Sequence, residues 1–145
     1  MNIFTTAFRL VLAFVCGSII GLEREVKRGP AGLRTHILVC MGATLIMLVS
    51  IYIYDIYKDI ATVDPGRIAA GVVTGIGFLG AGTIMRSPER VRGLTTAASI
   101  WISSAIGLAI GCGYISGALL ATVITFFALS VLKKIEDLEI KRKED

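Results

Sequence analysis

The side chains able to do chemistry are few, and they sit at the edges of apolar runs. Arg9 is the only charge between Met1 and Leu22. Glu23 follows that run directly. Arg34, Thr35 and His36 precede a second run, and Arg92, Thr95 and Thr96 open a later one. Asp64 and Arg67 flank Pro65-Gly66 ahead of a glycine-rich stretch. A charge at membrane depth is costly unless it is paired or faces a protein interior, so these are the positions where a ligand would be held. Glu23, Arg34, Thr35, His36, Arg92, Thr95 and Thr96 fall at three helix ends on one level of the chain. They can converge into a polar cluster for a cation, an anion or a partner. The same residues also serve as mutual caps and interfacial ion pairs, and both readings stand at this point. Arg9 has Asp55, Asp59 and Asp64 as candidate partners, or its long stem carries the charge to the headgroups. His36 alone, a lone interfacial histidine, reads as structural.

The elements that position these residues follow from composition. The chain has 145 residues, 54% of them hydrophobic and 18% charged, with a mean hydropathy of +0.77. A soluble globule of this size has no room to bury so much apolar surface. Runs free of Asp, Glu, Lys and Arg cover 37–54, 68–85 and 94–132. As one helix the last run would be about 58 Å long, nearly twice the hydrocarbon thickness. It must fold back, and Gly111-Cys112-Gly113 allows the tight turn. The expectation is an all-α, polytopic membrane helix bundle of five spans, 3–22, 36–54, 67–85, 94–111 and 113–132. These form one transmembrane domain over 1–132, followed by a charged tail over 133–145.

Basic residues orient the bundle. Arg24, Lys27, Arg28 and Arg34, then Arg86, Arg90 and Arg92, then Lys133, Lys134, Lys141, Arg142 and Lys143 fall on one side; Lys58 and Arg67 fall on the other. By the positive-inside rule the N-terminus faces outward and the C-terminus lies in the cytoplasm. The net charge of +4 is therefore a topology signal and gives no support for nucleic-acid binding. The first span lacks a basic leading segment and is followed by Glu23-Arg24-Glu25 rather than a small-residue cleavage site, so it reads as retained.

Membrane helices associate by close packing, which small residues four apart permit. Such stripes run through Ala13, Gly17 and Gly21; through Ser99, Ser103, Gly107 and Gly111; and through Gly113, Gly117, Ala121 and Thr125. They predict a compact bundle and offer faces for a homodimer or another membrane complex. The third span differs, with Gly71, Gly75, Gly77, Gly80 and Gly82 crowded together. Either that helix is gripped on several sides, or it is kinked or interrupted so that free carbonyls line a cavity. Its start is marked by Asp64-Pro65-Gly66, an N-cap followed by proline at the first helical position. Cys16, Cys40 and Cys112 show no CxxC spacing and read as small packing residues. Trp101 falls in mid-span four, where its N–H needs a partner. No GxSxG, HExxH or GxxxxGK[ST] motif is present, so the chain is not expected to be an enzyme.

Five stretches then carry a resemblance: Gly21-Leu22-Glu23-Arg24-Glu25, Ala31-Gly32-Leu33-Arg34-Thr35-His36, Asp64-Pro65-Gly66-Arg67-Ile68-Ala69-Ala70, Gly75-Ile76-Gly77-Phe78-Leu79-Gly80-Ala81-Gly82, and Arg92-Gly93-Leu94-Thr95-Thr96-Ala97-Ala98-Ser99. In this order and spacing they resemble the MgtC/SapB family of bacterial membrane proteins over nearly the whole chain. Two positions depart from the pattern: Gly71 stands where many members carry glutamine, and Thr74 where many carry serine. Longer members add a soluble C-terminal domain, and this sequence carries the tail Lys133 to Asp145 in that place.

The resemblance implies a protein of the bacterial cytoplasmic (inner) membrane, linked to growth in low magnesium and to virulence. Such a protein acts as a regulator of other membrane proteins, the ATP synthase among them. The alternative is a magnesium transporter or channel, with Mg2+ as ligand or substrate and no other cofactor. It would use Arg9 and Asp64 outside, the glycine-rich span at depth and Glu23 inside, with Glu23 and Asp64 as the metal-ligating carboxylates.

Overall fold

A computed structural model describes the backbone of residues 2–88 and 90–144, and the side chains as far as residue 131. Five helices follow one another. The first, α1 (Ile3–Val26), starts at Asn2, whose side chain accepts a hydrogen bond from the Phe4 N–H. It leaves through Arg28, held at φ 53°. The second, α2 (Leu33–Tyr57), ends near three tyrosines, Tyr52, Tyr54 and Tyr57. The third, α3 (Pro65–Ala81), opens as the sequence predicts: Asp64 caps it, its carboxylate accepting from the Gly66 N–H at 2.8 Å, with Pro65 in the first turn. A short antiparallel hairpin follows, β1 (Met85–Arg86) with β2 (Val91–Arg92), Met85 opposite Arg92 and Arg86 opposite Val91. Then come α4 (Leu94–Cys112) and α5 (Ile115–Glu144). By length and composition α1, α2 and α4 can each cross a membrane; α3 and the Ile115–Val131 part of α5 are shorter apolar helices.

The first two helices run a few residues beyond the expected spans, to Val26 in α1 and over Leu33–Tyr57 in α2; of the later boundaries, two follow the expectation and two differ. The fold-back lies where the glycines put it. Gly113 adopts φ 92°, a left-handed conformation that ends a helix cheaply only at glycine, and its N–H reaches the Ala109 and Ile110 carbonyls. The cap of α3 is likewise as read. The third span, however, stops at Ala81 rather than running to 85. The chain turns there because Thr83 donates its hydroxyl to the Gly80 carbonyl at 2.7 Å, occupying a helix-end acceptor. Gly93, at φ 91°, then lies so close to the Thr83 carbonyl that a side chain would collide. Of the two residues that lengthen the apolar run in the sequence, Ile84 lies in the connection after the helix and Met85 opens the hairpin. At the other end, α5 runs through the boundary expected at 132 and continues to Glu144. The charged side chains of that tail, 133–145, lie outside the described residues.

The interior is organised around α2, packed between α1 and α4. A Cβ on Gly17 would fall 2.8 Å from the His36 carbonyl oxygen, and one on Gly21 2.8 Å from the Leu33 Cα. On the other side a Cβ on Gly107 would run into the Cys40 carbonyl, and one on Gly111 would lie 2.7 Å from the Thr44 carbonyl. Only glycine lets three backbones lie this close. Ala13, Cys16, Ile20, Cys40, Ile106, Ile110 and Ala118 fill the core. Thr44 ties the seam: its hydroxyl lies 2.8 Å from the Gly107 carbonyl and 2.9 Å from that of Cys40. Ser50 donates to the Pro65 carbonyl at 2.6 Å and so fixes the start of α3 against α2.

The glycines of α3 fit neither expected reading. The helix is unbroken from Pro65 to Ala81, and only Val72 and Gly80 on it are buried. A Cβ on Gly71, Gly75 or Gly77 would meet nothing within 4 Å, and one on Gly80 would touch Ala97 at ordinary distance. The helix is neither gripped on several sides nor interrupted to free its carbonyls; it leans on α2 and α4 along one edge.

Candidate functional site

The buried polar groups collect where α1 ends, α2 begins and α4 begins. Glu23 and Arg24, consecutive on α1, are both buried. Neither oxygen of the Glu23 carboxylate has a hydrogen-bond partner among the described residues, and neither does the Arg24 Nε. The two side chains approach only to 3.7 Å, Arg24 Nη1 to Glu23 Oε2, which is an ion pair without a hydrogen bond. Arg24 Nη2 lies 3.5 Å from the Thr96 hydroxyl on α4. Polar groups taken out of water are normally bonded, so a carboxylate and a guanidinium left this open stand out.

His36 lies beside them, fully buried at 0% exposure. Its Nδ1 is 2.8 Å from the Gly32 carbonyl and its Nε2 2.9 Å from the Ser99 hydroxyl on α4. A carbonyl only accepts, so Nδ1 carries a proton. In the neutral ring Nε2 then accepts from Ser99. The Ser99 Oγ also lies 2.8 Å from the Thr96 carbonyl of its own helix. Ser103 continues the polar seam, donating to the Ser99 carbonyl.

The expected cluster is therefore only partly assembled. Glu23 and Thr96 join it. Arg92 and Thr95 line a neighbouring pocket together with Arg24. Arg34 and Thr35 are turned away into a separate groove with Glu25, Gly32 and Leu33, where Glu25 Oε2 accepts from the Leu33 N–H at 2.9 Å. Arg9 sits at the opposite end of the bundle and donates through Nη1 to the Gly111 carbonyl at 2.8 Å. It caps the end of α4 and makes no ion pair with Asp55, Asp59 or Asp64, since Glu23 with Arg24 is the ion pair found among the described residues. Asp64 is spent as the cap of α3, and Arg67 is exposed. Glu23 and Asp64 stand beyond opposite ends of α2, and among the described residues no three His, Cys, Asp or Glu side chains gather to hold a metal. Trp101 is turned outward, half exposed.

Three members of this site were missed in the sequence: Arg24, His36 as a buried centre, and Ser99 as its partner. The signal existed. The small-residue stripe Ala13, Gly17, Gly21 continues at helical spacing onto Arg24, and the Ser99–Ser103–Gly107 stripe points the serine at whatever α2 presents. Both stripes also explain the geometry, because glycine on α1 and α4 brings the helices close enough for His36 to span between them.

The sequence pattern of the MgtC family matches residues 10–138, a stretch that contains Glu23, Arg24, His36, Thr96 and Ser99. The chain belongs to the MgtC family. It is 45% identical over 129 residues to YhiD of Escherichia coli (strain K12), a protein provisionally named a magnesium transporter, covering 88% of this chain and 60% of that one. To Protein MgtC of Salmonella typhimurium (strain LT2) it is 43% identical over 134 residues, covering 92% and 55%. An uncharacterised protein of Haemophilus influenzae is 42% identical over 125 residues, covering 83% and 52%. The chain thus spans between half and three-fifths of the length of the curated relatives it matches. No solved structure matches it. Family and apolar helices together make this MgtC-family chain a membrane protein.

Proposed function

We propose that this MgtC-family chain is a multi-pass protein of the bacterial cytoplasmic membrane that serves magnesium homeostasis, or adaptation to low magnesium, by acting on other membrane proteins rather than by conducting ions. The observation that supports this reading is the packed interior between the two polar ends. Between the Glu23–His36 cluster and the Arg9 cap lie Ala13, Cys16, Ile20, Cys40, Ile106 and Ile110, buried against one another. Magnesium sheds its waters reluctantly and asks for several oxygen ligands. A path through this interior offers no carboxylates among the described residues. The link to magnesium comes from relatives such as YhiD, whose provisional name carries it.

The second reading is a magnesium transporter, and one observation favours it: the Glu23 carboxylate is buried with neither oxygen hydrogen-bonded among the described residues. Magnesium flux into proteoliposomes of the purified, inserted chain separates the two, with growth of a dependent strain in low magnesium as a parallel readout. The expected result is growth supported by the chain with no saturable flux. Saturable flux that disappears in Glu23→Gln would overturn the regulatory reading.

A further inference from the structure

Beside the Glu23–His36 cluster is a pocket of about 500 Å3 between the end of α1, the hairpin and the start of α4. Its walls carry four cationic side chains: Arg24, Lys27 and Arg28 from the end of α1 and its exit turn, and Arg92 from β2. Among the described residues no carboxylate lines it. The facing wall is the first turn of α4. Gly93 caps that helix without a side chain to satisfy it, and the first N–H to find an intrahelical carbonyl is that of Ala97, bonded to Gly93. The N–H groups of Leu94, Thr95 and Thr96 are those a helix start leaves free, and they carry its partial positive charge.

A basic rim alone would only reflect membrane topology. Arg24 is different. Its side chain is 9% exposed, it lines the pocket, and its Nε has no partner. The polar atoms that its two terminal nitrogens do approach, the Thr96 hydroxyl and Glu23 Oε2, are 3.5 and 3.7 Å away. A guanidinium carries five N–H donors in a planar fork. Here the protein presents that fork, buried, towards a pocket of like charge and leaves it underused. Glu23, its ion-pair neighbour, does not line the pocket. Charge of one sign from four side chains, free helix-start N–H groups and an open guanidinium all ask for the same ligand.

We propose that this pocket binds a phosphoryl oxyanion, gripped by the Arg24 fork and the α4 start and neutralised by Lys27, Arg28 and Arg92. Arginine forks and helix N-termini are the groups that suit phosphate oxygens. Met85, Val91 and Leu94 complete the wall, and all three are exposed apolar side chains. They offer a track for an acyl chain, so the headgroup phosphate of an anionic phospholipid in the adjoining leaflet is the source the geometry favours. Free inorganic phosphate would use the same donors.

The test uses the full chain in nanodiscs and has two arms. In one, inorganic phosphate is titrated against the chain in phosphatidylcholine. In the other, retention of phosphatidylglycerol from a mixed bilayer is read by native mass spectrometry. The expected result is selective retention of phosphatidylglycerol, weakened about tenfold in Arg24→Gln and similarly in Lys27→Gln combined with Arg92→Gln. Saturable binding of inorganic phosphate that weakens in the same variants would keep the site and move its source to the soluble anion. Should Arg24→Gln fail to fold, the Lys27→Gln/Arg92→Gln pair decides the matter, because neither side chain is buried. No selective binding in either arm, or binding unchanged in that pair, overturns the proposal.

Discussion

The glycines of α1 and α4 and the glycines of α3 share a spacing and have opposite surroundings. Gly17, Gly21, Gly107 and Gly111 are pressed against the α2 backbone, so that a single methyl on any of them would enter a space already held. Gly71, Gly75 and Gly77 face open space. Spacing of small residues therefore specifies where a backbone can be approached, and the surrounding chain decides whether it is. In the first region the approach has been made, and it creates the site: only helices this close let His36 reach from the Gly32 carbonyl to Ser99 on α4. In the second, Gly71 and Gly75 line an apolar groove of about 410 Å3 with Leu38, Gly42 and Ile46 of α2.

The largest effect that could break this comparison is expected at Gly107. A Cβ there meets the Cys40 carbonyl, a backbone atom that cannot move aside without shifting α2. Gly107→Ala should destabilise the bundle by about 3 kcal/mol, the upper range for overpacking, read as reversible unfolding in mixed detergent micelles followed by circular dichroism. A loss under about 0.5 kcal/mol would mean the helices do not touch as described. A smaller effect sharpens the same seam. Thr44→Val keeps the shape and removes the hydroxyl that sits 2.8 Å from the Gly107 carbonyl. It should cost about 1 kcal/mol by the same measurement, because the carbonyl keeps its place in the helix ladder and one interhelical hydrogen bond is lost.

The contrast also explains what could be read from the sequence. Local signals were legible: the Asp64-Pro65-Gly66 start of α3, the Gly113 turn, and the apolar runs behind α1, α2 and α4 all depend on neighbours in the chain. The end of α3 was not, because Ile84 and Met85 are apolar enough to extend a run, while the Thr83 hydroxyl on the Gly80 carbonyl and Gly93 packed on Thr83 close the helix before them. Arg9 shows the same limit. Three aspartates nearby in topology made plausible partners, yet it bonds the Gly111 carbonyl, a backbone acceptor that no residue type announces. At the site, Glu23 and Thr96 were legible as charged or polar residues beside apolar runs. Arg24 and Ser99 were legible only as continuations of packing stripes, since burial is a property of the facing helix.

The smallest effect has the opposite sign and is the most discriminating. In a helix interior glycine is worse than alanine by about 1 kcal/mol, chiefly through backbone entropy. At Gly107 that gain is swamped by the clash. At Gly71 and Gly75 nothing lies within 4 Å of a new Cβ, so the gain should survive. Gly71→Ala, Gly75→Ala and the pair should each raise stability in micelles, by up to about 1 kcal/mol per site. The sign carries the argument. Stabilisation means that α3 keeps its glycines for something other than the fold of one chain. Destabilisation comparable to that of Gly107→Ala would mean that another helix already covers this face in the membrane, and the two regions would then be alike after all.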